Sequence, residues 1–204
     1  MTTPLRIDTH QHIVPPSYAA WLHAQGLRAG GLPIPEWSAE GALDMMEAAH
    51  VSSALLSVST PGVHLGDDAQ ARDMAREVNE FTSAVVRQHP QRFGFFATLT
   101  LPDVEGAIAE ARYAFDVLQA DGVVLMANVG GMYLGDPAWE PLMAELNQRH
   151  AVVMIHPSTL QGPGVEGIPA FAADFLLDTT RAALSYAKSG GLERYPDLKI
   201  ILSH

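Results

Sequence analysis

The residues best suited to chemistry in this chain stand near its start, in the stretch RIDTHQHIV. Successive side chains of a β-strand point to opposite faces, so His10 and His12 share one face, with Asp8 on the same face but deeper. Two adjacent imidazoles are the beginning of a transition-metal site, because each neutral ring offers a nitrogen lone pair. An HxH pair is a weak signal by itself in a chain with nine histidines. Its weight depends on whether other ligands reach the same place.

The elements that would bring them there are readable. Apolar or β-branched runs predict strands at 5–10 (LRIDTH), 53–59 (SALLSVS), 93–100 (FGFFATLT), 122–128 (GVVLMAN), 152–157 (VVMIHP) and 199–204 (KIILSH). Helical patterns lie between them. One follows the N-cap Ser38, one covers DDAQARDMAREVNEFTSAVVRQH, and one follows Asp103. A fourth begins with Asp136 as N-cap and Pro137 at N1, and a fifth covers about 171–189 after a Gly/Pro-rich loop. In the second helix Ala71, Met74, Ala75, Val78, Phe81, Thr82 and Val85 form one apolar face.

Strands nearly continuous in apolar residues, each followed by a helix, predict a parallel sheet covered by helices. An open doubly wound sheet would place a glycine-rich phosphate turn after the first strand, where this chain has HQHIVPPS. The expected fold is therefore α/β, of the (β/α)8 TIM-barrel type, with about six β/α units in a single domain over residues 1–204.

In such a barrel, chemistry sits at the C-terminal ends of the strands, and this sorts the histidines. His10 and His12 end the first strand, His156 the fifth and His204 the sixth. His50, His89 and His150 fall at helix C-termini, where a donor or cation meets the dipole, and His23 reads the same way. His64, in STPGVHLGDD after the second strand, is on the active face and is a candidate for substrate contact. Trp37 in PIPEWS could wall an aromatic pocket, and Asn128 and Tyr133, beside Gly130 and Gly131, carry polar groups able to meet a carboxylate or phenol.

The net charge is -11, and the twelve basic residues are scattered. This argues against nucleic acid or an anionic membrane surface as partner. With no cysteine, any metal must be held by nitrogen and oxygen ligands, which suit zinc, manganese or iron. The lack of cysteine and of an N-terminal export signal fits a cytoplasmic protein acting on a small molecule.

The stretches IDTHQHIVPP, HPQRFGFFATLTLPD, GMYLGDPAWEPLMAELN, VVMIHP and DTTRAALSYAKSGGLERYPDLKIILSH resemble the metal-dependent amidohydrolase superfamily. Within it the chain is similar to the aminocarboxymuconate-semialdehyde decarboxylase-like branch, closest to 6-methylsalicylate decarboxylase-like members. The resemblance implies that His10, His12 and His156 are metal ligands, with zinc first and manganese as the alternative, and that His204 is the catalytic histidine. It implies nonhydrolytic decarboxylation of an aromatic or enoic carboxylic acid, a hydroxybenzoate such as 6-methylsalicylate, and a homodimer. Hydrolysis of a lactone or amide is the alternative for the same metal site, and a non-catalytic binding or dimerising role is the third.

The family's remaining ligand, an Asp at the end of an eighth strand, has no counterpart before His204, so the chain reads as a barrel incomplete at its C-terminus, of doubtful activity alone. Asp8 is then expected to orient a ligand histidine from behind. The first and sixth strands would be open edges, and the isolated chain is expected to be poorly soluble, partly disordered or dimerised through them.

Overall fold

The computed structural model describes residues 5–29, 31–160 and 165–204. Six parallel strands form one sheet in the order β1 (Ile7–His12), β2 (Ser53–Ser57), β3 (Phe93–Thr98), β4 (Gly122–Met126), β7 (Val152–His156) and β8 (Lys199–Leu202). A small antiparallel hairpin, β5 (Asn128–Val129) and β6 (Met132–Tyr133), follows β4. Its turn uses Gly130 and Gly131 at φ 59° and 87°, conformations that side chains disfavour. The strands begin and end within a few residues of their predicted limits. The exception is the last part of GVVLMAN, where Asn128 leaves the sheet to start the hairpin.

Helices α1 (Pro16–Ala24), α2 (Ala39–Ala48), α3 (Asp68–Gln88), α4 (Val104–Asp116), α5 (Glu140–Gln148), α6 (Asp174–Lys188) and α7 (Gly191–Arg194) connect the strands. Ser38 and Asp103 cap α2 and α4 by accepting the N–H groups of Gly41 and Gly106. Asp136 caps a short 3-10 turn, Pro137–Trp139, rather than the predicted longer helix. Pro141 explains the difference: it has no N–H to return to Pro137, so regular α-helix starts only at Glu140. In the same way a 3-10 turn, Ala170–Ala172, precedes α6 where one helix was expected.

Strand alternation divides the core into two layers. Leu56, Phe95, Val123, Leu125, Val153 and Ile155 face the helices and join the main core. Phe96, Val124 and Met154 face the concave side, with Leu55, Met126, Val152 and Ile201 packed around them. His156 is two residues beyond Met154 and therefore points into the concavity. The predicted apolar face of α3 is buried as read, except that Phe81 is half exposed and Asn79 and Ser83 are buried beside it. Asn79 replaces lost solvent by bonding both backbone groups of Thr98 and donating to the Glu110 carboxylate.

Among the described residues, β1 and β8 each pair on one side only. The sheet is thus an open, strongly curved part of a barrel, consistent with the six units counted in the sequence.

Candidate metal centre

Counting four intervals of about 4.8 Å, a flat sheet would hold β1 and β7 roughly 19 Å apart. Instead the Nε2 atoms of His12 and His156, 144 residues apart, lie 3.2 Å from each other. Curvature closes that gap and turns both rings inward. His10 Nε2 is 3.2 Å from His12 Nε2, and ligand atoms of all three histidines lie within 4.8 Å of one another.

Backbone carbonyls set the tautomers. His12 Nδ1 lies 3.2 Å from the Ser57 carbonyl, its neighbour across the β1–β2 ladder, and His156 Nδ1 lies 2.8 Å from the Pro157 carbonyl. A carbonyl only accepts, so each Nδ1 carries the proton and each Nε2 presents a lone pair. Two lone pairs facing at 3.2 Å cannot satisfy each other. A cation between them can: nitrogens about 2.05 Å from a tetrahedral ion stand about 3.3 Å apart. The residues present therefore fit a divalent metal.

The electrostatics agree. Burial, then the neighbouring His12 and His204, lowers the pKa of His10 to about 4. Burial also lowers His12, and it drives His156 well below the ordinary imidazole range, helped by His12 and His10. All three rings are neutral at pH 7, the form that binds metal. Ser57, at the end of β2, adds a buried hydroxyl without a hydrogen-bond partner among the described residues.

His204 completes the ring of strand-end histidines. Its imidazole meets His10 edge-on with centroids 5.0 Å apart, and it lies 5.6 Å from Phe175 and 6.1 Å from His156. It is the most exposed of the four, and burial still lowers its pKa.

Asp8 departs from expectation. The β1–β2 register slips between Asp8 and Gln11, so a bulge interrupts the alternation that was to place Asp8 behind the histidines. Its carboxylate accepts the backbone N–H of His10 at 2.9 Å, fixing the bulge rather than a ligand ring.

Trp37 lines an open cleft of about 780 Å³ together with Asp8, His10, His12 and Glu36, and its outer edge packs on Phe81. His64 borders a smaller cavity of about 170 Å³ at the ends of β3 and β4, shared with Thr98, Met126, Asn128 and Ser158. Its ring is committed, with Nε2 2.8 Å from Asp68 and Nδ1 accepting the Gly66 N–H. Asn128 is buried and also committed: it donates to Asp178 and the Thr159 carbonyl and accepts the Gly131 N–H. Both ends of the amide serve the hairpin and its neighbours. Tyr133 stands beside Asp178 and Arg181, and the pKa of its phenol is raised, chiefly by burial.

The remaining four histidines named above as helix-end residues stand at or near helix C-termini. His50 and His150 adopt φ of 54° and 51° just past α2 and α5, His89 ends α3, and His23 lies in the last turn of α1.

Asp178, in the fifth predicted helix, is completely buried. It lies on the covered face of α6 with Phe175, Thr179, Ala182 and Tyr186, and a carboxylate in that stripe was the available signal.

With this geometry in place, comparison with known proteins decides the family. The sequence profile of the amidohydrolase family matches residues 7–204. This chain belongs to the amidohydrolase family. Among curated amidohydrolase relatives it is 38% identical to the decarboxylase yanB of Aspergillus niger, over 98% of this chain and 58% of that protein. It is 37% identical to the 6-methylsalicylic acid decarboxylase of Penicillium expansum, over 98% and 63% respectively. The crystal structure of an amidohydrolase II superimposes with a TM-score of 0.91 at 31% identity, covering 97% of this chain and 66% of that one. A dihydroxybenzoic acid decarboxylase from Polaromonas sp. JS666, solved with manganese and 2-nitroresorcinol, shares the fold with a TM-score of 0.77 at 22% identity, over 99% and 66%. The chain spans about three fifths of the length of the curated relatives it matches.

Proposed function

We propose that this site binds a divalent cation and serves the nonhydrolytic decarboxylation of an aromatic or enoic carboxylic acid, a hydroxybenzoate of the 6-methylsalicylate kind. The observation that carries the proposal is the convergence of three neutral imidazoles, two with their lone pairs fixed inward, beside a cleft walled by Trp37. The decarboxylases among the relatives support the reaction class.

His10, His12 and His156 hold the cation. Zinc is the first choice from the ligand set and manganese the second, supported by the manganese in the Polaromonas structure. When bound, the cation supplies Lewis-acid anchoring of the substrate's carboxylate or adjacent hydroxyl.

This chain's own residues do the rest. Trp37 offers an aromatic wall for the substrate ring. His204, neutral and at the exposed rim, handles the proton that must replace the departing carbon dioxide on the ring carbon. His64 and Asn128 border the smaller cavity at the ends of β3 and β4, and Asn128 pairs with Tyr133 across the hairpin that follows β4. The domain is one barrel unit, assembled as a homodimer in the cytoplasm and acting on a small acid. The absence of a helix long and apolar enough to cross a membrane among the described residues is compatible with that setting.

The test is carbon dioxide release from 6-methylsalicylate and other hydroxybenzoates by metal-replete protein. Release should be lost in His10→Ala with the metal, whereas His204→Ala should lose turnover while keeping its metal. Stoichiometric metal with no carbon dioxide from any hydroxybenzoate refutes the proposal.

A further inference from the structure

The peptide between Pro157 and Ser158 stands between a buried carboxylate and a ligand histidine. Its carbonyl takes the Nδ1 proton of His156 at 2.8 Å, and its N–H donates to Asp178 Oδ2 at 2.8 Å. The two groups of one trans peptide point to opposite sides, so His156 and Asp178 face each other across it. Asp178 is 0% exposed, and its other oxygen accepts from Asn128 at 2.8 Å. Asp178 thus ties α6 to the loops after both β4 and β7.

The geometry points to Asp178 as a positioning residue for the metal centre, acting on His156 through the intervening peptide. A carboxylate bonded directly to a ligand histidine fixes its tautomer and raises its basicity. Here the effect is relayed. Negative charge at the N–H end polarises the amide, making the Pro157 oxygen a stronger acceptor for the His156 Nδ1 proton. The Nε2 lone pair that faces His12 gains electron density. The same bond fixes the plane of the peptide, and with it the direction of the ring.

This inference rests on the proposed metal centre, and its test keeps the two apart. Zinc is titrated against a competing chromogenic chelator for the wild-type chain and for Asp178→Asn, which keeps the size but removes the carboxylate. Wild type should bind one zinc per chain, and the variant should bind about 10- to 100-fold more weakly, the usual effect of losing a partner behind a ligand. Wild type without zinc defeats the metal reading itself. Equal affinity of the two proteins, with the variant folded by circular dichroism, overturns the role of Asp178 alone.

A spectroscopic measurement covers a variant that does not fold. On zinc loading of wild type, the Ser158 amide proton should move downfield and the Asp178 side-chain carboxyl carbon should shift with it. A carboxyl signal that stays put when zinc binds overturns the relay.

Discussion

Gly122→Ala tests how the sheet supports the metal centre from a distance. Gly122 opens β4, and a Cβ there would stand against the Val152 carbonyl on β7, about 1 Å inside ordinary contact, and 2.9 Å from the Phe96 ring. A backbone oxygen in a ladder cannot swing aside, so β4 and β7 must separate. Overpacking of this kind costs about 1–3 kcal/mol. At about 2–4 °C per kcal/mol for a domain of this size, the melting temperature should fall by roughly 2–12 °C. The displaced strand carries His156, whose Nε2 faces His12 at 3.2 Å, and metal sites tolerate only about 0.2 Å of misplacement. Zinc affinity should therefore fall along with stability. The assays are differential scanning calorimetry of the metal-free protein and a zinc titration. A variant that melts within a degree of wild type and binds zinc equally well would refute the argument that β4–β7 spacing sets the ligand geometry.

Two other perturbations have expected outcomes. Adding zinc or manganese at 100 times its dissociation constant should stabilise the chain by about 2.7 kcal/mol, or roughly 5–11 °C, and a chelator should reverse the gain. His12→Ala should abolish it, and an identical melt with and without metal would contradict the site. Asp103 accepts two bonds from the Arg72 guanidinium at 2.6 and 2.8 Å, which lower its pKa in the folded state below the ordinary carboxylate value. Its contribution is then complete above the unfolded value of about 3.9 and is lost as pH falls through the folded one. Urea unfolding from pH 7 to 3 should show a shallower acid loss for Asp103→Asn, and an unchanged slope would discount the pair.

How much of this was legible follows from the range of each interaction. The strands, the caps Ser38 and Asp103, and the four strand-end histidines were readable because alternation and capping are local patterns. The barrel rule then brought the histidines together without any contact information. The bulge at Asp8 was not readable, since it comes from register against β2, some 45 residues away. The pairing of Asn128 with Asp178 escaped for the same reason: neither residue names its partner, 50 residues distant, by any local pattern. Asn79 is a third case, with bonds spanning 19 and 31 residues.

The contact between His12 and His156 has a consequence for assembly. A cation held by both would cross-link the chain across 144 residues, at a point reached only when five consecutive strands have curled into register. A partly formed or flattened sheet brings one pair of ligands at most. Metal content per chain would therefore be a head count of correctly curved molecules, measuring folding yield before any substrate is added.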